Sequence, residues 1–243
     1  MTPALRPAAL LGLALLALPP APARAAQASP ASDSVVYQVD PASRLVVKTG
    51  KAGLFGFAGH SHVIRARAIA AELVYRPGKA ASHLRIKLLT DSLEVLTPND
   101  TAEIRKVTKA MRTEVLEVER YPEMSFSADS VDAKSGKVEL RLDVTMHGTT
   151  RQVPVIAQVK MGDDTVRATG SFTAKQTDFG IKPFSGGPGG TVKVADKVTF
   201  CFDLVATREG PKTSGGLTSL RPEGATEVPG CVDRQSEPER RVM

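Results

Sequence analysis

Apolar and polar residues alternate most regularly in the second half of the chain. Leu140, Leu142, Val144 and Met146 are interleaved with Glu139, Arg141, Asp143 and Thr145. This period of two gives a strand one dry and one wet face. His147-Gly148 follows as a turn, and Val153, Val155, Ala157, Val159 and Met161 carry the next alternation as far as a hairpin signal at Gly162-Asp163. Val166, Ala168, Gly170, Phe172 and Ala174 make a third run, in which the glycine predicts a bend or bulge. Beyond a glycine-rich segment at 185–190, a last strand puts Val198, Phe200, Phe202 and Leu204 on one face and Cys201 and Asp203 on the other. If the phenylalanines face the core, Cys201 points outward.

The first half is less regular. Residues 45–49, 63–75 and 84–89 read as strands, separated by segments at 50–59 and 76–82. Between Asp100 and Glu119 the period lengthens, with Ile104, Val107, Met111, Val115 and Val118 at helical spacing. Asp100 followed three residues later by Glu103 is a capping-box pattern, and Tyr121-Pro122 is the expected stop. Strands, tight turns and a single helix near 100–119 predict an all-β fold. An antiparallel barrel of about eight strands is favoured, because the strands are long and closure removes exposed edges.

The N-terminus has a different character. Arg6, an apolar run over 8–18 and the small-residue site Ala23-Arg24-Ala25 form a signal-peptide pattern over residues 1–25, which predicts export to the periplasm or beyond. Its apolar run is too short to span a bilayer. Residues 26–34 read as a linker, 35–209 as the barrel domain, and 210–243, rich in Pro, Gly, Ser and charge, as a disordered tail. Cleavage removes Arg6 and Arg24 and leaves 30 basic against 26 acidic residues, a net charge of +4. The basic residues are scattered among acids and few aromatics accompany them, so no nucleic-acid partner is expected. The only two cysteines, Cys201 and Cys231, would travel to an oxidising compartment. A bridge between them would staple the tail to the domain, with a free pair as the alternative.

Little in the chain suggests catalysis. His60 and His62 share a face of an extended segment and could meet one metal ion or polar group. Hydrogen-bonded or rim histidines are the plainer reading, and the spacing names no further metal ligand. Ser61 points away from both, so it is not an activated nucleophile. His147 is read as structural. Asp178-Phe179-Gly180 lacks the loops of a kinase, and the glycines at 186–190 lack the Gly-Lys-Ser/Thr ending of a phosphate loop. Arg105, Lys106, Lys109 and Arg112 form a solvated helix face, with transient contact to anionic headgroups as the sharper alternative.

Several segments in order resemble the YceI-like family of exported, lipocalin-like proteins. They are Tyr37-Gln38-Val39-Asp40, Phe57-Ala58-Gly59-His60-Ser61-His62, Asp91-Ser92-Leu93 and Tyr121-Pro122-Glu123-Met124-Ser125-Phe126. Val144-Thr145-Met146-His147-Gly148-Thr149-Thr150 and Gln176-Thr177-Asp178-Phe179-Gly180-Ile181 complete the series. The chain departs from the family in lacking tryptophan, with Tyr37 where many members place one. The resemblance implies a barrel around an apolar cavity, no catalytic residues, and a polyisoprenoid or other long apolar small molecule as partner. Combined with the dry strand faces, it makes Leu140, Leu142, Val144, Phe172, Phe200 and Phe202 the expected ligand wall. Phe179 and Met111 are the expected contacts at the mouth or helix side. A bound isoprenoid lipid is the sole candidate cofactor, a dimer stays open, and a metal or redox accessory role for His60 and His62 is the alternative. Alternation alone does not separate a hollow barrel from one filled by its own side chains.

Overall fold

The computed structural model describes residues 34–52, 61–76, 82–97, 100–131, 135–208, 216–221 and 228. The expected signal peptide, the linker up to residue 33, His60 and Cys231 lie outside the described residues.

Thirteen strands are described, joined in one antiparallel sheet: β1 (Val35–Val39), β2 (Arg44–Ala52), β3 (Val63–Ala66), β4 (Ala68–Tyr75), β5 (Ser82–Leu89), β6 (Leu93–Val95) and β7 (Glu123–Val131) in the first half, then β8 (Gly136–Met146), β9 (Thr149–Met161), β10 (Thr165–Lys175), β11 (Ser185–Gly186), β12 (Val192–Arg208) and β13 (Thr218–Ser219). The ladder β1-β4-β5-β7-β8-β9-β10-β12 closes through pairing of β12 with β1, which makes the expected eight-stranded barrel. Each strand pairs with its neighbour in the chain once three breaks are recognised, so the barrel is an up-and-down meander. β1 with β2, β3 with β4, and β5 with β6 are each one strand interrupted once.

The breaks carry their own hydrogen bonds. Between β1 and β2 the chain turns at Asp40, whose carboxylate accepts from the Ala42 N–H at 2.7 Å. Opposite this turn the buried Ser43 hydroxyl donates to the Val205 carbonyl and accepts from the Val205 N–H, both at 2.9 Å. One side chain thus replaces a lost rung of the ladder. Between β3 and β4 the Arg67 N–H donates to the Ser92 carbonyl at 3.2 Å, and at the third break the Thr90 N–H donates to Pro122 at 2.9 Å. Beyond the breaks β2, β3 and β6 run on from β12 as a further wall.

The second-half strands follow the sequence pattern. In β8 Val138, Leu142, Val144 and Met146 are buried and Glu139, Arg141 and Asp143 exposed. His147 and Gly148 both have positive φ, 51° and 71°. That is the backbone of a two-residue hairpin turn matching strand twist. Gly170 is a correction: its register with β9 and β12 is continuous, with no bulge. A Cβ there would stand 2.7 Å from both the Phe202 ring and the Ile156 carbonyl oxygen, so the glycine makes room for a core ring.

The helix α1 spans Thr101–Ala110 and continues through a π-helical turn at Met111–Val115. Asp100 caps it, accepting from the Ala102 and Glu103 N–H groups at 2.7 and 3.1 Å. It ends earlier than Tyr121-Pro122. Glu117 takes φ 44°, and the Val118 N–H reaches back six residues to the Arg112 carbonyl at 3.0 Å, closing the wide π-helical end with a left-handed residue. His147 Nε2 donates to Glu117 Oε1 at 3.1 Å and its ring lies 3.9 Å from that of Tyr121, so the structural reading of His147 holds. Arg112 leaves the expected solvated face: half-buried, it donates through Nη2 to the Asp91 carbonyl and ties the helix to the third break. No helix among the described residues is long and apolar enough to cross a membrane.

The tail expectation also needs correction where residues are described. Thr218 and Ser219 pair with Ile69 and Ala68 of β4. The Leu220 N–H donates to the Arg67 carbonyl at 2.7 Å and the Arg221 N–H to Pro41 at 2.9 Å. This segment, polar in sequence, is held by backbone pairing across the first two breaks, where β4 has no partner in β1. Cys201 lies on the outer face, as expected, and is fully buried there. It is disulfide-bonded and packs with Val46, Val63 and Val228 of the tail. Beside it Asp203 is buried and accepts from Arg167 Nε and Nη2 at 2.7 and 2.6 Å, a bidentate pair that raises the Arg167 pKa above its ordinary value.

Candidate functional site: a two-compartment barrel

The barrel is hollow in two places. Under α1 lies a cavity of about 570 Å³, and toward the other end of the barrel a second of about 130 Å³. The upper volume is within the range of small-molecule sites, roughly 300–1,000 Å³.

The upper cavity takes its wall from both halves of the chain. β2 presents Leu45, Val47 and Thr49, three alternate positions, and β3 adds Ile64 and Ala66 in the same way. Leu88, Met124, Met146, Val198 and Phe200 complete the barrel side, and Val107, Ala110, Met111 and Val115 form the helical roof. Apart from Met111, no residue of this helix or its π-turn is fully buried. The roof is therefore held by few buried contacts, the property of elements that open locally.

Its polar residues gather at the rim. Asp100, Glu103, Lys106 and Lys193 are there, with His62 and Gln176 on the flank. Asp100 is engaged in capping the helix. His62 Nδ1 lies 2.8 Å from the Thr97 carbonyl oxygen, so that nitrogen must carry the proton and Nε2 is left for a guest. Gln176 Nε2 donates to the Ala195 carbonyl at 2.9 Å. The turn holding Gln176 is pinned by Asp196, which accepts from the Thr177 N–H and hydroxyl at 2.9 and 2.8 Å. Burial alone would raise the Asp196 carboxyl, but these bonds, with Lys175 nearby, hold it below its ordinary value. The glycine-rich segment at 185–190 folds back through β11 onto β12 and brings Phe184 and Gly187 to the cavity.

The lower cavity is apolar except for Glu72, which accepts from Gln38 Nε2 at 3.3 Å. Three rings lie between the two spaces. Phe200 faces the upper one, while Phe172 and Phe126 face the lower. Phe172 and Phe200 are stacked with centroids 4.8 Å apart and planes 5° from parallel. Phe126 meets both edge-on, at 6.3 and 5.9 Å.

The residues expected as a ligand wall are thus divided. Leu140, Leu142, Phe172 and Phe202 line the lower space, and Phe200 and Met111 the upper. Val144 and Phe179 are fully buried in the core and line neither, so Phe179 is not a mouth contact. The sequence reading missed the contribution of β2 and β3, although the alternation of Leu45, Val47 and Thr49 carried it. Among the described residues no cluster of three metal-ligating side chains occurs, and His60 lies outside them.

Comparison with known proteins agrees with this architecture. BcnA of Burkholderia cenocepacia superposes with a TM-score of 0.55 at 20% identity, covering 70% of this chain and 99% of that one. A polyisoprenoid binding domain from Saccharophagus degradans superposes at 0.50 with 11% identity, covering 72% and 98%. No curated protein matches in sequence. The YceI-like domain matches residues 37–206, from the first barrel strand into the last, and the chain belongs to the YceI-like family.

Proposed function

We propose that the protein is a non-enzymatic carrier or storage protein for a polyisoprenoid or other long apolar small molecule, acting after export to the periplasm. The observation that carries this reading is the cavity of about 570 Å³ beneath a lightly held helix, with apolar walls and its charges confined to the rim. An apolar chain entering such a space leaves water, which is worth about 0.8 kcal/mol for each buried CH₂. An empty apolar space of this size contributes nothing to the core, because its lining lacks contact partners on one side. A binding role is in keeping with membership of the YceI-like family, and the Saccharophagus neighbour is described as binding a polyisoprenoid. The signal-peptide pattern at 1–25 supports the compartment.

Protein purified without detergent from its own host should carry a co-purifying apolar molecule in native mass spectra. Val107→Lys, which turns a charge into the roof, should lose it while remaining folded. Repeated recovery of ligand-free wild-type protein would sink the proposal.

A further inference from the structure

Resting on the carrier reading, we infer that the stacked pair Phe172–Phe200, braced by Phe126, is a stop that sets the length of chain the protein accepts. These rings stand between the two cavities at one level of the barrel. Phe200 lines the upper space, and Phe172, parallel to it at 4.8 Å, lines the lower. Adjacent register positions on β10 and β12 hold the pair, so neither ring is on a loop. Phe126 approaches from β7 and contacts both rings edge-on, an arrangement that aromatic quadrupoles favour. All three side chains are buried, with exposures of 3% for Phe126, 7% for Phe172 and 2% for Phe200.

A guest that enters at the rim, near Lys106 and Lys193, meets these rings after filling the upper space. The lower cavity, about 130 Å³ against about 570 Å³ and apolar but for Glu72, lies on the far side of these rings. A chain that fits the upper space is fully sheltered. A longer one leaves its further isoprene units in water at the rim, as they are in the free chain, so they add nothing, whereas each methylene newly buried in an apolar pocket strengthens binding by roughly tenfold or more. The chain length beyond which affinity stops rising is set by the rings rather than by the total volume of the barrel.

The test is a titration of the whole protein, stripped of bound lipid, with farnesol, geranylgeraniol and solanesol, read by displacement of a fluorescent apolar probe and by native mass spectrometry. Wild type should bind geranylgeraniol about tenfold or more tightly than farnesol and gain nothing further from solanesol. Phe200→Leu and Phe172→Leu keep an apolar side chain in the core and open the partition. Each should make solanesol bind about tenfold or more tightly than geranylgeraniol and leave farnesol nearly unchanged. Having two variants guards against one failing to fold. Wild type that binds solanesol about tenfold or more tightly than geranylgeraniol, or variants that leave the ratio untouched, would overturn the stop while leaving the carrier reading intact. No binding of any prenol by wild type would overturn both.

Discussion

Substituting Gly170 by alanine tests how tightly the barrel interior is specified. In a strand with ordinary φ this replacement normally stabilises by about 0.4–1 kcal/mol, because it narrows the unfolded ensemble, and Gly170 is not among the positive-φ glycines. Here the added Cβ would lie 2.7 Å from the Phe202 ring and 2.7 Å from the Ile156 carbonyl oxygen. The ring can tilt, but the carbonyl belongs to β9, paired to β10 on the other side of the same residue. Overpacking of this kind costs about 1–3 kcal/mol. The balance is a net loss of about 1–2 kcal/mol, read as a lower urea midpoint at unchanged m-value. In a double-mutant cycle with Phe202→Leu, one of the two collisions is removed. A coupling of about 0.5–1 kcal/mol should therefore appear, with only partial rescue, since the carbonyl contact stays. If Gly170→Ala is as stable as wild type or more so, the close approach is not the reason for glycine, and the expected bend would return as the explanation.

Three other perturbations address the roof, the surface and the tail. Asp100→Ala removes the helix cap and should cost about 1 kcal/mol locally; hydrogen exchange over 101–111 should speed up while the barrel strands keep their protection. The exposed Asp129 carboxyl is held below its ordinary value of 3.8 by hydrogen bonds first from Arg85 and then from His83. Its stabilising contribution is therefore full above the unfolded pKa and lost as pH falls through the lower folded value. An NMR titration should show Arg85→Ala moving that pKa upward and making the acid limb of the stability profile shallower; an unmoved Asp129 resonance would refute the pairing. Leu220→Ala, at a half-buried position against the core, should lower stability by about 1 kcal/mol, below the usual range for a fully buried leucine. Truncation after Arg208 should cost more, because it also unpairs Ala68 and Ile69 and uncovers Cys201.

What the sequence revealed depended on which forces act locally. β8, β9, β10 and β12 were legible because each alternates over a long run with one dry face. β7 has the same alternation in Met124, Phe126 and Ala128, but the interleaved serines make it look like a loop. β6 and β13 are too short for any period to show, and β13 is fixed by backbone bonds that its side chains do not announce. The capping of α1 by Asp100 was readable; its ending at Glu117 was not, since a non-glycine residue occupies the left-handed position and is held there by a distant histidine. Cys201 is legible in its face and in its reach toward the tail, but not in its complete burial. Strand parity decides a face, but burial of an outer face depends on Val228, far along the chain.

The candidate site shows a deeper limit of periodicity. Alternation places Phe126, Phe172 and Phe200 inside the barrel and equally places Val47, Ala66 and Val198 there, so every inner position looks alike. Whether the interior is filled or hollow depends instead on side-chain size at each level across the barrel. The register of β10 with β12 puts Phe172 opposite Phe200, and that much follows once the hairpin order is known. Phe126 stands on β7, which pairs with neither β10 nor β12, and its arrival at the same level is set by barrel closure and strand stagger. Three large rings meeting there fill the middle, while valine, alanine and threonine on β2, β3 and the helix leave space above. The same dry-face pattern therefore produces core and cavity in one barrel. Changing ring size at that level should redistribute the two volumes without altering a single strand.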